Sequence, residues 1–202
     1  MLDTAGMESA HVTARLHDLI AKAPGRVSLA VRSRDGFRFD HDSTRVVPAA
    51  STIKVPILLA YLAAGMPWDL PVALPSTRVG GCGPLSLLPS VTSLPAGEVL
   101  RLMIALSDND ATNALLGLVG VGEVSRLLAR AGTRHTVLRR RMMDQAAAAT
   151  GLENETCAAD LAELLGALRA GVLLPPREAA MALAVLREQQ FDEGLPAYLP
   201  DD

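Results

Sequence analysis

The sequence predicts an α/β fold in which a helical core carries an antiparallel sheet. Three observations lead to it. Half of the 202 residues are apolar, and a chain of this length buries about 70% of its unfolded surface. Apolar residues recur at helical spacing along most of the chain. One early stretch alternates instead, on either side of an Asp-Gly pair. The length fits one domain over residues 1–202.

Residues 8–22 read as an amphipathic helix with Val12, Leu16, Leu19 and Ile20 on one face and Gly25 beyond its end. Val27 to Val31 then alternates, Asp35-Gly36 marks a turn, and Phe37-Arg38-Phe39 continues the alternation, which gives a hairpin. Ser51 to Ala64 reads as one helix with Val55, Leu58, Leu59 and Leu62 at core spacing, and Pro56 fits only near its first turn. Residues 65–95 are rich in Pro and Gly and read as a covering segment. Leu94 to Leu106 is a second buried helix, with Pro95 at its start and Val99, Leu102, Met103 and Leu106 facing the core.

Asp110–Val119 and Glu123–Ala131 are shorter helices closed by Gly120 and Gly132. Residues 133–155 read as irregular, apart from a helical Ala146–Ala149 run. Thr156 is suited to cap a helix carrying Leu161, Leu164, Leu165 and Leu168, and Pro175-Pro176 opens a last helix to about Gln190. Two strands make a poor sheet by themselves, so the hairpin is expected to keep an open or foreign-paired edge.

Composition excludes several functions. With 19 Lys and Arg against 22 Asp and Glu, the net charge is −3, which argues against a basic nucleic-acid binder. No apolar run reaches membrane-spanning length, so no membrane partner is expected. The first residues lack a basic and then apolar leader, so the expectation is a cytoplasmic protein or the mature form of a secreted one. Cys82 and Cys157 stand in no metal or redox spacing, and His11, His17, His41 and His135 are scattered. No metal and no cofactor are expected.

Two short motifs carry chemistry. In Ser51-Thr-Ile-Lys54 the two polar side chains lie almost one helical turn apart, on one face. Ser51 stands at a helix N-terminus, where the dipole favours the developing negative charge of a nucleophile. A buried Lys54 would have a lowered pKa and would serve as base for the hydroxyl. The ordinary alternative is a serine cap followed by a surface lysine. Lysine occurs only at positions 22 and 54, so chance supplies about 0.1 such matches. Ser107-Asp-Asn109 follows directly on the buried helix, which holds it rigidly. Its hydroxyl can relay a proton and its amide can hold a substrate carbonyl. The alternative is a helix end meeting a new cap, and chance supplies about 0.01 such tripeptides.

On these residues the sequence resembles the serine β-lactamase and penicillin-binding family, in its class A-like branch. Val79-Gly-Gly-Cys-Gly-Pro-Leu85 is similar to its Gly-rich segment, and Leu102 to Asn113 to its buried helix and the helix that follows. Arg139 to Asp144 and Asn154-Glu-Thr156 with Asp160-Leu161 are similar to the surroundings of its Ω loop. The resemblance implies the serine β-lactamase/DD-peptidase-like fold. It implies that Ser51 is acylated, Lys54 is its base or relay, Ser107 passes the proton to the leaving nitrogen and Asn109 binds the substrate amide. The Ser51 N–H would be one oxyanion donor. The implied substrate is a small acyl compound: a β-lactam, or a related amide or ester.

Two departures accompany it. The family's third motif, Lys-Thr-Gly or a relative beginning with His or Arg, does not occur in these residues. The expectation is therefore the front part of a longer family member, lacking C-terminal strands, with a partner chain or a strand-exchanged dimer completing the sheet. Alternatives to a hydrolase are a penicillin-binding-type acyl acceptor and a non-catalytic remnant or half of an assembly. The second departure is at deacylation: the Glu-x-x-Leu-Asn pattern is absent, and the region offers Asp144, one methylene shorter. Asp144 is either a base for water or, preferably, an ion-pair partner of Arg139–Arg141. Glu153 and Glu155 are expected on a solvated loop.

Overall fold

The computed structural model describes residues 4–191 and 193–194. Eight helices surround or form the core, with three two-stranded antiparallel sheets at its margins, among the described residues. Helix α1 (Thr4–Lys22) leads into strands β1 (Leu29–Arg32) and β2 (Arg38–His41). The hairpin pairs Leu29 with His41 and Arg32 with Arg38. Val27 precedes the paired region, a shift of two residues from the alternation in sequence. Helix α7 (Ala158–Arg169) packs on β1, and no third strand joins the hairpin among the described residues. The apolar stripe of α1 is only partly covered: Val12 is 44% and Leu19 56% exposed.

The chain next forms β3 (Val47–Pro48), a 3-10 turn over Ala50–Ile53 and α2 (Lys54–Ala63). The expected single helix is thus two elements. Helix α2 runs through the middle of the core, packed by α3 (Ala96–Ala105), α4 (Asn109–Val119), α5 (Val121–Arg130) and α8 (Pro176–Arg187). Ile57, Leu58, Leu59, Tyr61 and Leu62 are all buried, so the helix has no polar face. Val55, expected at the core, is half-buried, while Ile57 and Tyr61 are inside.

The Pro/Gly-rich stretch contains two three-residue strands, β4 (Pro71–Ala73) and β5 (Ser93–Pro95), paired Val72 to Leu94. Trp68 lies against Gly97, where any Cβ would overlap the indole. In the later part, α6 spans Gln145–Ala149 and β6 Glu155–Thr156, the latter paired with β3. Thr156 does not cap α7; it lies in β6 and its hydroxyl meets that of Thr136 at 2.9 Å. Cys157 is the cap, its Sγ accepting the Asp160 N–H.

Glu153 and Glu155 are not simply solvated. Glu153 accepts from Arg140 Nη2 with both carboxylate oxygens, at 2.7 and 3.0 Å, and from its Nε at 3.1 Å, and Glu155 pairs with Arg139.

Candidate active site

The turn Ala50–Ile53 and the first residue of α2 place Ser51 and Lys54 at the N-terminal end of the central helix. Lys54 is 2% exposed, in a chain whose other lysine, Lys22, sits on the surface helix α1. A buried ammonium is tolerable only with its donors satisfied. Lys54 Nζ donates to Ser107 O at 2.5 Å, Ser107 Oγ at 2.8 Å and Asn109 Oδ1 at 3.0 Å. Burial disfavours the charged form and lowers the Lys54 pKa from 10.5 to about 8, with charge at Cys82 and Asp108 opposing the shift.

Ser107 lies between α3 and α4 and bridges the lysine to Ser51: its Oγ donates to Ser51 Oγ at 2.8 Å. Ser51 itself is exposed. The three groups form one chain of contacts, Ser51 hydroxyl to Ser107 hydroxyl to Lys54 amine. A cavity of about 280 Å³ opens beside it, lined by Ser51, Lys54, Val55, Met103, Ser107 and Gln189 among others.

The backbone is strained where this chemistry sits. Ala50, Ser107 and Met143 have φ of 46°, 54° and 61°, in the left-handed region that residues with a Cβ avoid. Such outliers persist only where surrounding contacts hold them. At Ser107 the holder is visible. Asp108 is buried; its carboxylate accepts Leu85 N–H and Ala111 N–H, both at 2.8 Å, capping α4. Asn109 N–H donates to Cys82 O at 3.1 Å. Gly83 lies against Asp108 so closely that a Cβ would overlap its carboxylate, and its φ of 101° excludes most other residues. Asp110 takes the Val79 N–H at 2.8 Å. The Gly-rich segment is therefore strapped to α4 by two carboxylates that motif matching alone left unassigned. The signal for them was the Asp-Asn-Asp run at a helix start.

Asn109 has both ends of its amide engaged: Oδ1 with Lys54, and Nδ2 donating to Gly80 O at 3.0 Å. A Cβ on Gly81 would come within 2.7 Å of that nitrogen and 3.1 Å of Met143 Sδ, so Met143 reaches the same rim.

The segment 133–155 is tied to this end of the molecule. Asn154 is buried; its Oδ1 accepts Arg139 and Arg140 N–H at 2.8 and 3.0 Å, while its backbone O accepts Ala49 N–H at 2.7 Å, two residues before Ser51. Asn113 clamps Met142, accepting its N–H at 2.9 Å and donating to its O at 3.1 Å. Asp160 accepts backbone N–H groups of Arg134, His135 and Thr136. Burial works to raise its pKa, but these bonds prevail and hold it below the ordinary value.

Asp144 stands apart from the other four expected site residues. Its Oδ1 accepts Ala147 N–H at 2.9 Å and caps α6. It lines a separate cavity of about 390 Å³ with Arg139, Arg140 and Arg141. Among the described residues it has no hydrogen bond to Ser51, Lys54 or Ser107, and no ion pair within 4.0 Å to the three arginines it was expected to match. Also among the described residues, no His, Cys, Asp and Glu cluster is arranged for a metal, and no helix is long and apolar enough to cross a membrane.

The fold has counterparts among solved structures. The β-lactamase from Sphaerobacter thermophilus is 28% identical, with a TM-score of 0.84, over 94% of this chain and 74% of that one. PBP-A is 27% identical, with a TM-score of 0.80, over 95% of this chain and 73% of that one. A mutant of PBP-A, solved as an acyl-enzyme complex with penicillin G, is 26% identical, with a TM-score of 0.81, over 95% of this chain and 74% of that one. No curated protein matches the chain significantly. The helical core with its small antiparallel sheets is the serine β-lactamase fold. Residues 11–202 match the β-lactamase enzyme family as a whole, and to that family the chain belongs.

Proposed function

We propose that the protein is a serine acyl-transferring hydrolase whose nucleophile is Ser51, acting on β-lactams or related amides and esters. The observation that carries the reading is the contact chain from Ser51 Oγ through Ser107 Oγ to a buried Lys54 Nζ. Protonated, Lys54 donates to all three of its acceptors and is no base. Neutral, it donates to Ser107 O and Asn109 Oδ1 and accepts the Ser107 hydroxyl proton, leaving Ser107 Oγ free to accept from Ser51. Ser51 Oγ then bonds to the substrate carbonyl carbon as its proton passes through Ser107 to Lys54. As the carbonyl–nitrogen bond breaks, Ser107 gives its proton to the leaving nitrogen and regains one from Lys54. The Asn109 Nδ2 N–H not given to Gly80 O would donate to the substrate's amide side chain, and the Ser51 N–H would meet the oxyanion.

Deacylation favours the acyl-accepting alternative. The Asp144 carboxylate caps α6, lines another cavity and makes no hydrogen bond to Ser51, Lys54 or Ser107 among the described residues, which speaks against it as the base for water at Ser51. We therefore propose a long-lived acyl-enzyme, with Asp144 as deacylation base the competing assignment. Incubation with penicillin G followed by intact-mass measurement tests the acylation, with Ser51→Ala as control.

We also propose that a partner chain or a second copy covers the hairpin edge and the exposed Val12 and Leu19 of α1. A mass in solution that stays monomeric at every concentration, with no partner recovered, would remove this assembly.

A further inference from the structure

The last turn of α3 ends two residues before Ser107, and a helix's final carbonyls lack donors within the helix. Those of Ile104 and Ala105 are satisfied by the residues just past the end of α8. Gln189 Nε2 donates to Ile104 O at 3.0 Å, and Gln190 N–H donates to Ala105 O at 3.1 Å. The other end of the Gln189 amide is also engaged: Oε1 accepts Gln190 and Phe191 N–H at 2.8 and 3.0 Å. An exposed glutamine is ordinarily solvated and mobile. This one is fixed at both ends, and it lines the cavity that holds Ser51, Lys54 and Ser107. Glu188 adds an ion pair to Arg101 of α3 at 3.1 Å.

We propose that Gln189 is a positioning residue for the Ser51 site, fastening the end of α8 to the last turn of α3 and so holding Ser107 in its left-handed conformation against Lys54. The link is short: Ile104 and Ala105 anchor the turn, Leu106 follows, and Ser107 presents both its carbonyl and its hydroxyl to Lys54 Nζ. The proposal rests on the reading of Ser51, Lys54 and Ser107 as the reacting groups, but its test requires no acylation.

The protein has two lysines, so lysine labelled at Cε gives two carbon resonances, assigned with Lys22→Arg. The wild-type Lys54 signal is expected to titrate at about 8, because burial disfavours the charged amine. In Gln189→Ala, freeing the α3 turn admits water to Nζ and the midpoint rises by about one unit toward its ordinary value. Gln189→Met keeps the side-chain length without the donor and is expected to shift it likewise, which keeps the test decisive if the alanine variant folds poorly. A merely structural glutamine would lower the melting temperature and leave the midpoint unmoved; that result in either folded variant overturns the proposal. An absence of any adduct on wild-type Ser51 would instead remove the proposed function, and the Lys54 midpoint would still decide Gln189.

Discussion

Ser51 and Ser107 are 56 positions apart in sequence, and their hydroxyl oxygens are 2.8 Å apart in the structure. Each stands at the edge of a helix of the core, and each adjoins or occupies a left-handed backbone position. Lys54 donates to Ser107 and not to Ser51, so the nucleophile communicates with its base through the second serine.

That arrangement sets the pH dependence of acylation. The active form has neutral Lys54, so the acylation rate should rise with pH and level off above about 8. Lys54→Arg, charged throughout, should lose at least a hundredfold at every pH. Measured acylation that falls with rising pH across this range would contradict the relay.

The same group makes stability depend on pH. Between about 8 and 10.5 the unfolded chain holds the Lys54 proton and the folded one does not. Stability therefore rises with pH through that window, by on the order of 3 kcal/mol. Denaturant melts of wild type against Lys54→Met isolate it, because the variant lacks this slope.

The helices were legible in the sequence because their pattern is local: Leu58, Leu59 and Leu62 repeat at the period that buries them. The two motifs were legible for the same reason, four and three residues each. What was not legible depends on distant partners. Strands β3 and β6 have two residues each and are strands only because Val47 meets Thr156. Nothing in Ala50 or Met143 announces a left-handed φ, since neither is glycine. Asp144 was read for charge; its neighbours Gln145 to Ala149 form a helix that needs a cap, and that claimed the carboxylate.

Gly83→Ala should be severe. The new Cβ would overlap the Asp108 carboxylate at a φ of 101°. A loss of roughly 3 kcal/mol is expected, combining strain with a displaced buried acceptor. A neutral result in denaturant unfolding would show that Asp108 is not held as described.

Asp144→Asn tests the deacylation reading. The amide oxygen keeps the α6 cap, so stability should change little, whereas Asp144→Ala should lose about 1 kcal/mol. Release of the acyl group should be unchanged within about twofold in Asp144→Asn. A hundredfold slower release would make Asp144 the base after all.

Asp160→Ala removes the acceptor of three backbone N–H groups and the Thr136 hydroxyl and should destabilise by about 3 kcal/mol. Because its folded pKa is lowered, its contribution is full above the ordinary carboxylate range and fades as pH falls through the lowered value. The wild-type advantage over the variant should shrink in acid melts.

The most direct test of the central claim is the mass of the intact protein after incubation with penicillin G at a pH above 8. Wild type should gain one penicillin, persisting through washing, with the modification on the peptide carrying Ser51, and Ser51→Ala should gain nothing. Equal modification of both proteins, or of neither, would contradict the assignment of Ser51 as the acylated nucleophile.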